Sequence, residues 1–245
     1  MAARTRALAI LLPPSEGKAA GGDGPGWVPA SGRFAALGPQ RTAVVKALAK
    51  AKGGDQKLLG VGGNHLARGR AANTALAKGA PTMPASARYT GVVYDHIDLA
   101  SLRPSARKAA TESIVVFSGL LGVCGIDDPI PDYRLKMGAR LAPMGIMARW
   151  WKPTLSAALN EWLRGRVVID LLPNDHATAW SPEPANYAAH VRVSFVEGSG
   201  SNAGAVIGHD AKAAKGLLVR HLLERGGDAE RALASFEHDR FALRY

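Results

Sequence analysis

The sequence is poor in cysteine and has no long apolar run. Its only thiol is Cys124, so neither an intramolecular disulfide nor a cysteine-based metal site can form. The longest apolar stretches, residues 8–14 and 114–117, are far shorter than the roughly 20 residues that a membrane-spanning helix requires. The apolar run at residues 7–12 is also too short for a secretory signal. We therefore expect a cytoplasmic protein without a membrane span.

Acidic residues are also scarce. The chain has 20 Asp and Glu against 31 Lys and Arg, which gives a formal net charge of +11. The excess is concentrated in residues 1–54 and residues 132–166. A positive field of this kind attracts polyanions and speeds their encounter with the protein. An arginine-rich genome composition would produce the same charge without any partner, so the charge alone leaves nucleic-acid binding as one of two interpretations.

Apolar segments with strand-like and helix-like patterns alternate along the 245 residues. This alternation predicts an α/β fold, with a mixed central sheet flanked by helices. Neither an internal repeat nor a linker divides the chain, so residues 1–245 are predicted to form a single domain. The predicted strands are residues 8–12, 113–117, 167–172, 191–197 and 241–245; the predicted helices are residues 41–52, 67–78, 150–163, 211–225 and 229–236; residues 19–32, 119–125 and 127–131 are predicted to be loops or turns.

Ser15 and Lys18 follow the first predicted strand in a short turn. In α/β proteins, ligands bind beyond the carboxyl ends of the strands, where such a turn can hold a phosphate. The segment lacks the Gly-x-x-x-x-Gly-Lys-Ser/Thr pattern of a P-loop. The alternative interpretation is an ordinary turn with a solvated lysine.

A second candidate site follows the strand at residues 113–117. Ser118, Gly119 and Gly122 form a glycine-rich turn, and Arg134 and Lys136 come shortly after it. Glycines allow backbone amides to approach a phosphate closely, as helix-hairpin-helix modules do when they grip a DNA backbone without reading its sequence. The alternative is a corner that needs small residues only for packing.

Polar residues also follow the strand at residues 167–172. Asn174 and Asp175, followed by His176, could form a general acid–base site together with Lys18. The alternative is a turn or helix cap, which Asn and Asp favour. The seven histidines of the chain show no paired ligand spacing, so no metal site is predicted.

Lys212 and Lys215 lie on one face near the start of the helix at residues 211–225. Cations at a helix N-terminus oppose the helix dipole unless an anion lies between them. This placement indicates a bound anion. Catalysis by a serine or cysteine nucleophile has little support, because Gly-x-Ser-x-Gly is missing and Cys124 has no neighbouring histidine in the sequence.

Taken together and in order, these segments resemble the peroxide stress protein YaaA family. The resemblance implies a cytoplasmic protein with a compact mixed α/β fold that includes a helix-hairpin-helix-like element. It also implies binding of double-stranded or distorted DNA, and protection of the cell from peroxide by limiting free iron and DNA damage. The segments that carry the resemblance are residues 12–18, 89–94, 118–122, 133–137, 174–175 and 212–216.

Two functions remain open from the sequence. The first is a DNA-binding stress protein that makes sequence-independent phosphate contacts, and the second is an enzyme that acts on a nucleotide or nucleobase. Its catalytic candidates are Lys18, Asn174 and Asp175. A protein that binds iron directly is a weaker third possibility. No cofactor is predicted, and the partner is either DNA or a phosphate-bearing small molecule. The candidate phosphate-binding residues are Ser15, Lys18, Ser118, Gly119, Gly122, Arg134, Lys136, Lys212 and Lys215.

Overall fold

The computed structural model describes residues 6–197, 204–205 and 208–245. Within this part of the chain, fifteen strands and ten α-helices alternate. The strands are β1 (Leu8–Leu12), β2 (Gly17–Lys18), β3 (Gly24–Gly26), β4 (Pro81–Pro84), β5 (Tyr89–Thr90), β6 (Ile114–Ser118), β7 (Gly122–Gly125), β8 (Pro129–Pro131), β9 (Arg140–Leu141), β10 (Gly145–Ile146), β11 (Val167–Asp170), β12 (Ala189–Arg192), β13 (Ser194–Glu197), β14 (Gly204–Ala205) and β15 (Ala242–Arg244). The helices are α1 (Gly38–Lys50), α2 (Gln56–Leu59), α3 (Gly63–Ala75), α4 (Ala85–Arg88), α5 (Val92–Ile97), α6 (Pro104–Ser113), α7 (Met147–Leu163), α8 (Asn174–Ala177), α9 (Gly208–Arg225) and α10 (Ala229–Ala234).

A five-stranded sheet lies at the centre, in the strand order β12-β11-β1-β6-β7. β1 runs parallel to both β11 and β6, β12 runs parallel to β11, and β7 is antiparallel to β6. The side chains of β6 and β11 are buried along their whole length, as are those of β1 after Leu8. Strands covered on both faces read as continuous apolar runs, which explains why these three were visible in the sequence. The predicted α/β fold with a mixed central sheet is confirmed.

Helices surround this sheet and complete its core. α6 packs on β1, α9 packs on α5 and α6, and α7 packs on β7. Gly216 on α9 touches the backbone of Val93 on α5, so a larger side chain would push these two helices apart. The buried apolar residues of sheet and helices form a single cluster. No helix in the described ranges is long and apolar enough to cross a bilayer.

The loop predictions are wrong in two places. β3, β4 and β8 pair into a small antiparallel sheet, although residues 19–32 and 127–131 were expected to be loops. These strands are short and contain proline or glycine, so their pairing depends on partners far away in the sequence.

The predicted strand at residues 191–197 is divided between β12, in the central sheet, and β13, which pairs with β15. The predicted edge strand near the C-terminus is confirmed.

The helix-hairpin-helix prediction is wrong at residues 118–122. The turn connects two antiparallel strands, β6 and β7, with Ser118 paired to Gly122. Leu120 and Leu121 in the turn are fully buried or nearly so. Because these apolar residues pack in the core, the turn is buried. A DNA-binding hairpin needs backbone amides that face solvent, and this turn does not present them.

Arg41 on α1 holds this hairpin from inside the protein. Only 2% of Arg41 is exposed. Its Nε donates to the carbonyl of Leu121 at 3.0 Å and its Nη2 to that of Val123 at 2.9 Å. Its Nη1 donates to the carbonyls of Pro29 and Ser31. The guanidinium therefore joins the loop at residues 29–31 to the β6–β7 hairpin by donating to four backbone carbonyls.

We expect Arg41→Met to lower the free energy of unfolding by about 3–5 kcal/mol, because four carbonyl oxygens lose their donor. Urea denaturation measures this change. Lys46→Ala is the matched control, since Lys46 is exposed on the same helix, and it is expected to change stability by less than about 0.5 kcal/mol. Equal effects of the two substitutions would contradict a structural role for Arg41.

Candidate functional site

A cleft of about 970 Å³ opens beyond the carboxyl ends of β1 and β11. Residues 13–18, which follow β1, form one wall, and Pro173, Asp175 and His176, which follow β11, form another. The start of α5, residues 133–139 and the first turns of α9 complete it. Because parallel strands present their carboxyl ends at one edge, segments distant in sequence meet here.

The cleft is strongly cationic. Six Lys and Arg side chains line it, against two carboxylates, Glu16 and Asp175. Most of the predicted phosphate-binding residues are therefore brought together, although they are spread over two hundred positions of the chain. The cationic residues are Lys18, Lys57, Arg134, Lys136, Lys212 and Lys215.

Lys18 lies in the wall of the cleft on β2. Its Nζ donates to the backbone carbonyl of Ser15 at 2.8 Å and lies 4.4 Å from the centre of the Tyr133 ring. Burial, reinforced by the nearby Arg134 cation and opposed by Asp132, lowers the pKa of Lys18 to about 8. Part of this amine is therefore uncharged near neutral pH.

A network of tyrosines lies behind Lys18. The hydroxyls of Tyr89 and Tyr133 are 2.9 Å apart, and Ser118 Oγ donates to the Tyr133 hydroxyl at 2.7 Å. Tyr94 stacks on Tyr89 and donates to the carbonyl of Pro13 at 2.8 Å. Burial raises the pKa of all three tyrosines, so they stay neutral. The network fixes the ring face on which the Lys18 ammonium lies.

The glycine-rich turn does not reach the cleft. Ser118 is fully buried, and its hydroxyl supports Tyr133 rather than a ligand. The carbonyl of Gly119 accepts from Trp151 Nε1 at 2.9 Å. Gly122 has a φ of +70°, and a side chain there would meet the Trp151 ring at 2.9 Å. These residues are small because of packing, which was the alternative interpretation of this motif, and the structure offers no route by which they contact a phosphate.

Glu16 bridges two cations of the cleft. Its carboxylate lies 3.0 Å from Lys136 Nζ and 3.5 Å from Arg134 Nη2. The hydrogen bond from Lys136 holds the pKa of Glu16 below its usual value. The side chain of Glu16 is 69% exposed, so an incoming anion can compete with it for both cations.

Asn73 is a positioning residue that the sequence did not reveal. It lies in α3 with 1% exposure, accepts from the backbone N–H of Arg134 at 2.9 Å and donates to its carbonyl at 2.8 Å. It also donates to the carbonyl of Gly53 at 2.9 Å. The only signal in the sequence is an asparagine within an alanine-rich helix, where it is a poor helix former.

The two lysines of α9 differ in their surroundings. Lys215 Nζ donates to the carbonyl of Leu171 at 2.7 Å, and burial lowers its pKa. It thus ties α9 to the end of β11. Lys212 is exposed one turn earlier and lines the cleft. Both predicted residues belong to the site, but only Lys212 is left open to solvent.

The segment after β11 divides between the cleft and the surface. Asp175 and His176 line the cleft, whereas Asn174 does not and accepts from Arg192 at 2.9 Å. Burial lowers the pKa of His176 to about 4, so its ring is neutral at physiological pH. Its Nδ1 is buried without a hydrogen-bond partner among the described atoms. The structure therefore favours His176 over Asn174 as the cleft residue of this segment.

A second hollow of about 490 Å³ adjoins the cleft. Lys18, Arg134 and Tyr133 line both spaces. Arg68 adds a cation to the hollow, but it is paired with Asp132 at 3.0 Å. In the ranges that the structure describes, no three His, Cys, Asp or Glu side chains gather in a way that would hold a metal ion.

Comparison with known proteins identifies the family. A family model described as peroxide stress protein YaaA matches residues 8–245. A UPF0246 protein of Streptomyces coelicolor is 37% identical over 225 residues, which are 89% of this chain and 84% of the relative. A UPF0246 protein of Corynebacterium glutamicum is 33% identical over 219 residues, or 88% of this chain and 84% of the relative. The chain belongs to the peroxide stress protein YaaA family. The resemblance seen in the sequence is confirmed.

The segments that carry the YaaA resemblance converge on the cleft. Residues 13–18, 90–94 and 133–137 all line it, as do Asp175 and the two lysines of α9. The exception is the turn at residues 118–122, which packs behind the tyrosines. The family likeness and the geometry therefore point to the same place in the molecule.

Asn73→Ala is expected to lower the free energy of unfolding by about 2–4 kcal/mol, because it removes three hydrogen bonds and leaves backbone groups of Arg134 unpaired. Urea denaturation measures this. Asn64→Ala, at an exposed position of the same helix, is the control and should be close to neutral. A neutral Asn73→Ala would show that Arg134 is held in some other way.

Proposed function

We propose that this YaaA-family protein binds nucleic acid by holding one nucleotide of a distorted or unpaired strand in the cleft. Backbone phosphates contact Arg134, Lys136 and Lys212. The observation that carries this proposal is the convergence of cations from both ends of the chain on one cleft. Cationic contacts to phosphates position a strand without reading its bases, so binding is independent of sequence.

The size of the cleft favours distorted DNA over an intact duplex. Its volume of about 970 Å³ lies at the upper end of small-ligand sites, which hold about 300–1,000 Å³. A duplex does not enter such a space, whereas an unpaired nucleotide does, and extruding one costs least where pairing is already weakened. Binding of damaged DNA would fit a role in the peroxide stress after which the family is named. A cytoplasmic location and a link to iron remain parts of this proposal.

A second candidate function is an enzyme that acts on a nucleotide. Lys18 with its lowered pKa favours it, since a group that titrates near neutrality is suited to proton transfer or nucleophilic attack. His176 adds a neutral imidazole ring to the same cleft. Asp175 lies in the same cleft. Of the three catalytic residues predicted from sequence, Lys18 and Asp175 stay in this proposal, and His176 replaces Asn174.

Binding is expected to weaken steeply with salt. Anisotropy titrations of labelled single-stranded and bubble DNA should show log K falling linearly with log salt concentration. Lys136→Ala and Lys212→Ala should each reduce the magnitude of the slope by about 0.7–0.9, one phosphate contact apiece. Lys108→Ala is the control, because Lys108 pairs with Glu112 on α6 away from the cleft. A flat salt response of the unmodified protein would rule out phosphate contacts.

Glu16→Gln is expected to tighten DNA binding about two- to fivefold, because it frees Arg134 and Lys136 from a competing carboxylate at an exposed site. The same anisotropy titration at constant salt measures this change. Glu161→Gln serves as the control, since Glu161 is similarly exposed and pairs with Arg164 at 2.9 Å outside the cleft. Equal changes in the two variants would reflect net charge alone, and would place the DNA elsewhere.

A further inference from the structure

Lys18 occupies a central position that phosphate binding does not explain. It lines both the cleft and the adjoining hollow. Among the residues that the structure describes, no carboxylate forms an ion pair with its ammonium group. Its one hydrogen bond goes to the carbonyl of Ser15. A lysine that only binds phosphate acts through its positive charge, and burial of the kind seen at Lys18 disfavours that charge.

The other lysines of the cleft do not combine these features, although Lys215 is also partly buried and donates to a backbone carbonyl. Lys136 is paired with Glu16, Lys215 is anchored to the carbonyl of Leu171, and Lys212 is exposed. Lys18 alone lies against the aromatic faces of Tyr133 and Tyr89, at 4.4 and 5.6 Å from their ring centres. Desolvation of this kind favours the neutral amine, which is the nucleophilic form of a lysine.

The size of this effect is large enough for chemistry. With a pKa of about 8, roughly a quarter of Lys18 is free amine at a pH of about 7.5, against about one in a thousand for an ordinary lysine. The cations beside it hold phosphates in the proposed function. A phosphate held by Arg134, which lines the same two spaces as Lys18, would bring the adjoining sugar towards the Lys18 nitrogen.

We propose that Lys18 is a nucleophilic amine that forms an imine with the aldehyde of a phosphate-bearing sugar held in the cleft. This inference rests on the proposed function for the binding of the phosphate. The ring-opened sugar has two possible sources: an abasic site within a nucleic acid strand, or a free sugar phosphate. Both carry an aldehyde a few bonds away from a phosphate.

The reaction balances without an oxidant or a reductant. The lone pair of Lys18 Nζ attacks the aldehyde carbon, and the electrons of the C=O bond move to oxygen, which takes up a proton. The resulting carbinolamine then loses its hydroxyl and the nitrogen-bound proton as water. One imine and one water form from one amine and one aldehyde.

Trapping with cyanoborohydride tests the proposal, because this reagent reduces an imine to a stable secondary amine. The full chain is incubated with single-stranded DNA that contains an abasic site, and separately with ribose 5-phosphate. Intact DNA of the same sequence is the control without an aldehyde. Peptide mass spectrometry then locates the adduct, and this readout needs no variant.

We expect adduct at Lys18 in at least one of the two incubations, with a yield about tenfold or more above that at any exposed lysine. The incubation that yields it identifies the source of the aldehyde. The trapping rate should rise with pH up to about 8 and then level off, since the free amine is the reacting form. Absence of adduct from both incubations, or adduct spread evenly over surface lysines, overturns the proposal.

Lys18→Arg tests whether trapping needs the Lys18 amine. It keeps the positive charge but lacks a nucleophilic amine at this pH, so trapping should be lost. Lys108→Ala should trap as the unmodified protein does. Trapping that persists in Lys18→Arg overturns the proposal. If the unmodified protein binds DNA but gives no trapped adduct, only the imine proposal is overturned. If the unmodified protein does not bind DNA in a salt-dependent way, the proposed function itself is overturned.

Discussion

The parallel pairing of β1 with β11 determines where the cleft forms. Leu8 to Leu11 lie beside Val167 to Asp170 in register, so both strands end at the same edge of the sheet. The chain must leave this edge twice, once as residues 13–18 and once as residues 173–176, and the two segments face each other. Lys18 follows β1 at this edge, and α9 is tied to the edge through Lys215 and the carbonyl of Leu171.

Buried polar groups support one wall of the cleft from behind. Arg41 donates to the carbonyls of Leu121 and Val123 in the β6–β7 hairpin, and Trp151 donates to that of Gly119. On the cleft side, Ser118 donates a hydrogen bond to the hydroxyl of Tyr133 and so holds the ring against which Lys18 lies. A buried polar network stays intact only when all of its members are satisfied. The small residues of the turn therefore matter to the site, although they do not line it.

The net charge of the protein overstates the charge available to a ligand. Arg41 and Arg88 are almost fully buried, and Arg88 donates to the carbonyl of Gly21 at 2.8 Å. These cations are structural, as the compositional interpretation of the charge allowed. The cations that line the cleft are the part of the excess that a ligand could reach, and Glu16 partly neutralises them. Composition cannot separate the two groups, because burial decides which cations meet a ligand.

The sequence by itself determined the buried strands β1, β6 and β11, the amphipathic helices α7 and α9, and the family, since apolar runs, periodicity and short motifs are local. It also pointed to most of the cationic residues in the cleft. Tertiary structure decided that residues 118–122 are packing residues, that Asn174 faces away and that Asn73 holds Arg134. It also brought Glu16 against Arg134, 118 positions away, and lowered the pKa of Lys18 through burial. The reason is physical: a local pattern specifies that a face is buried, but pairing between distant segments decides what covers it.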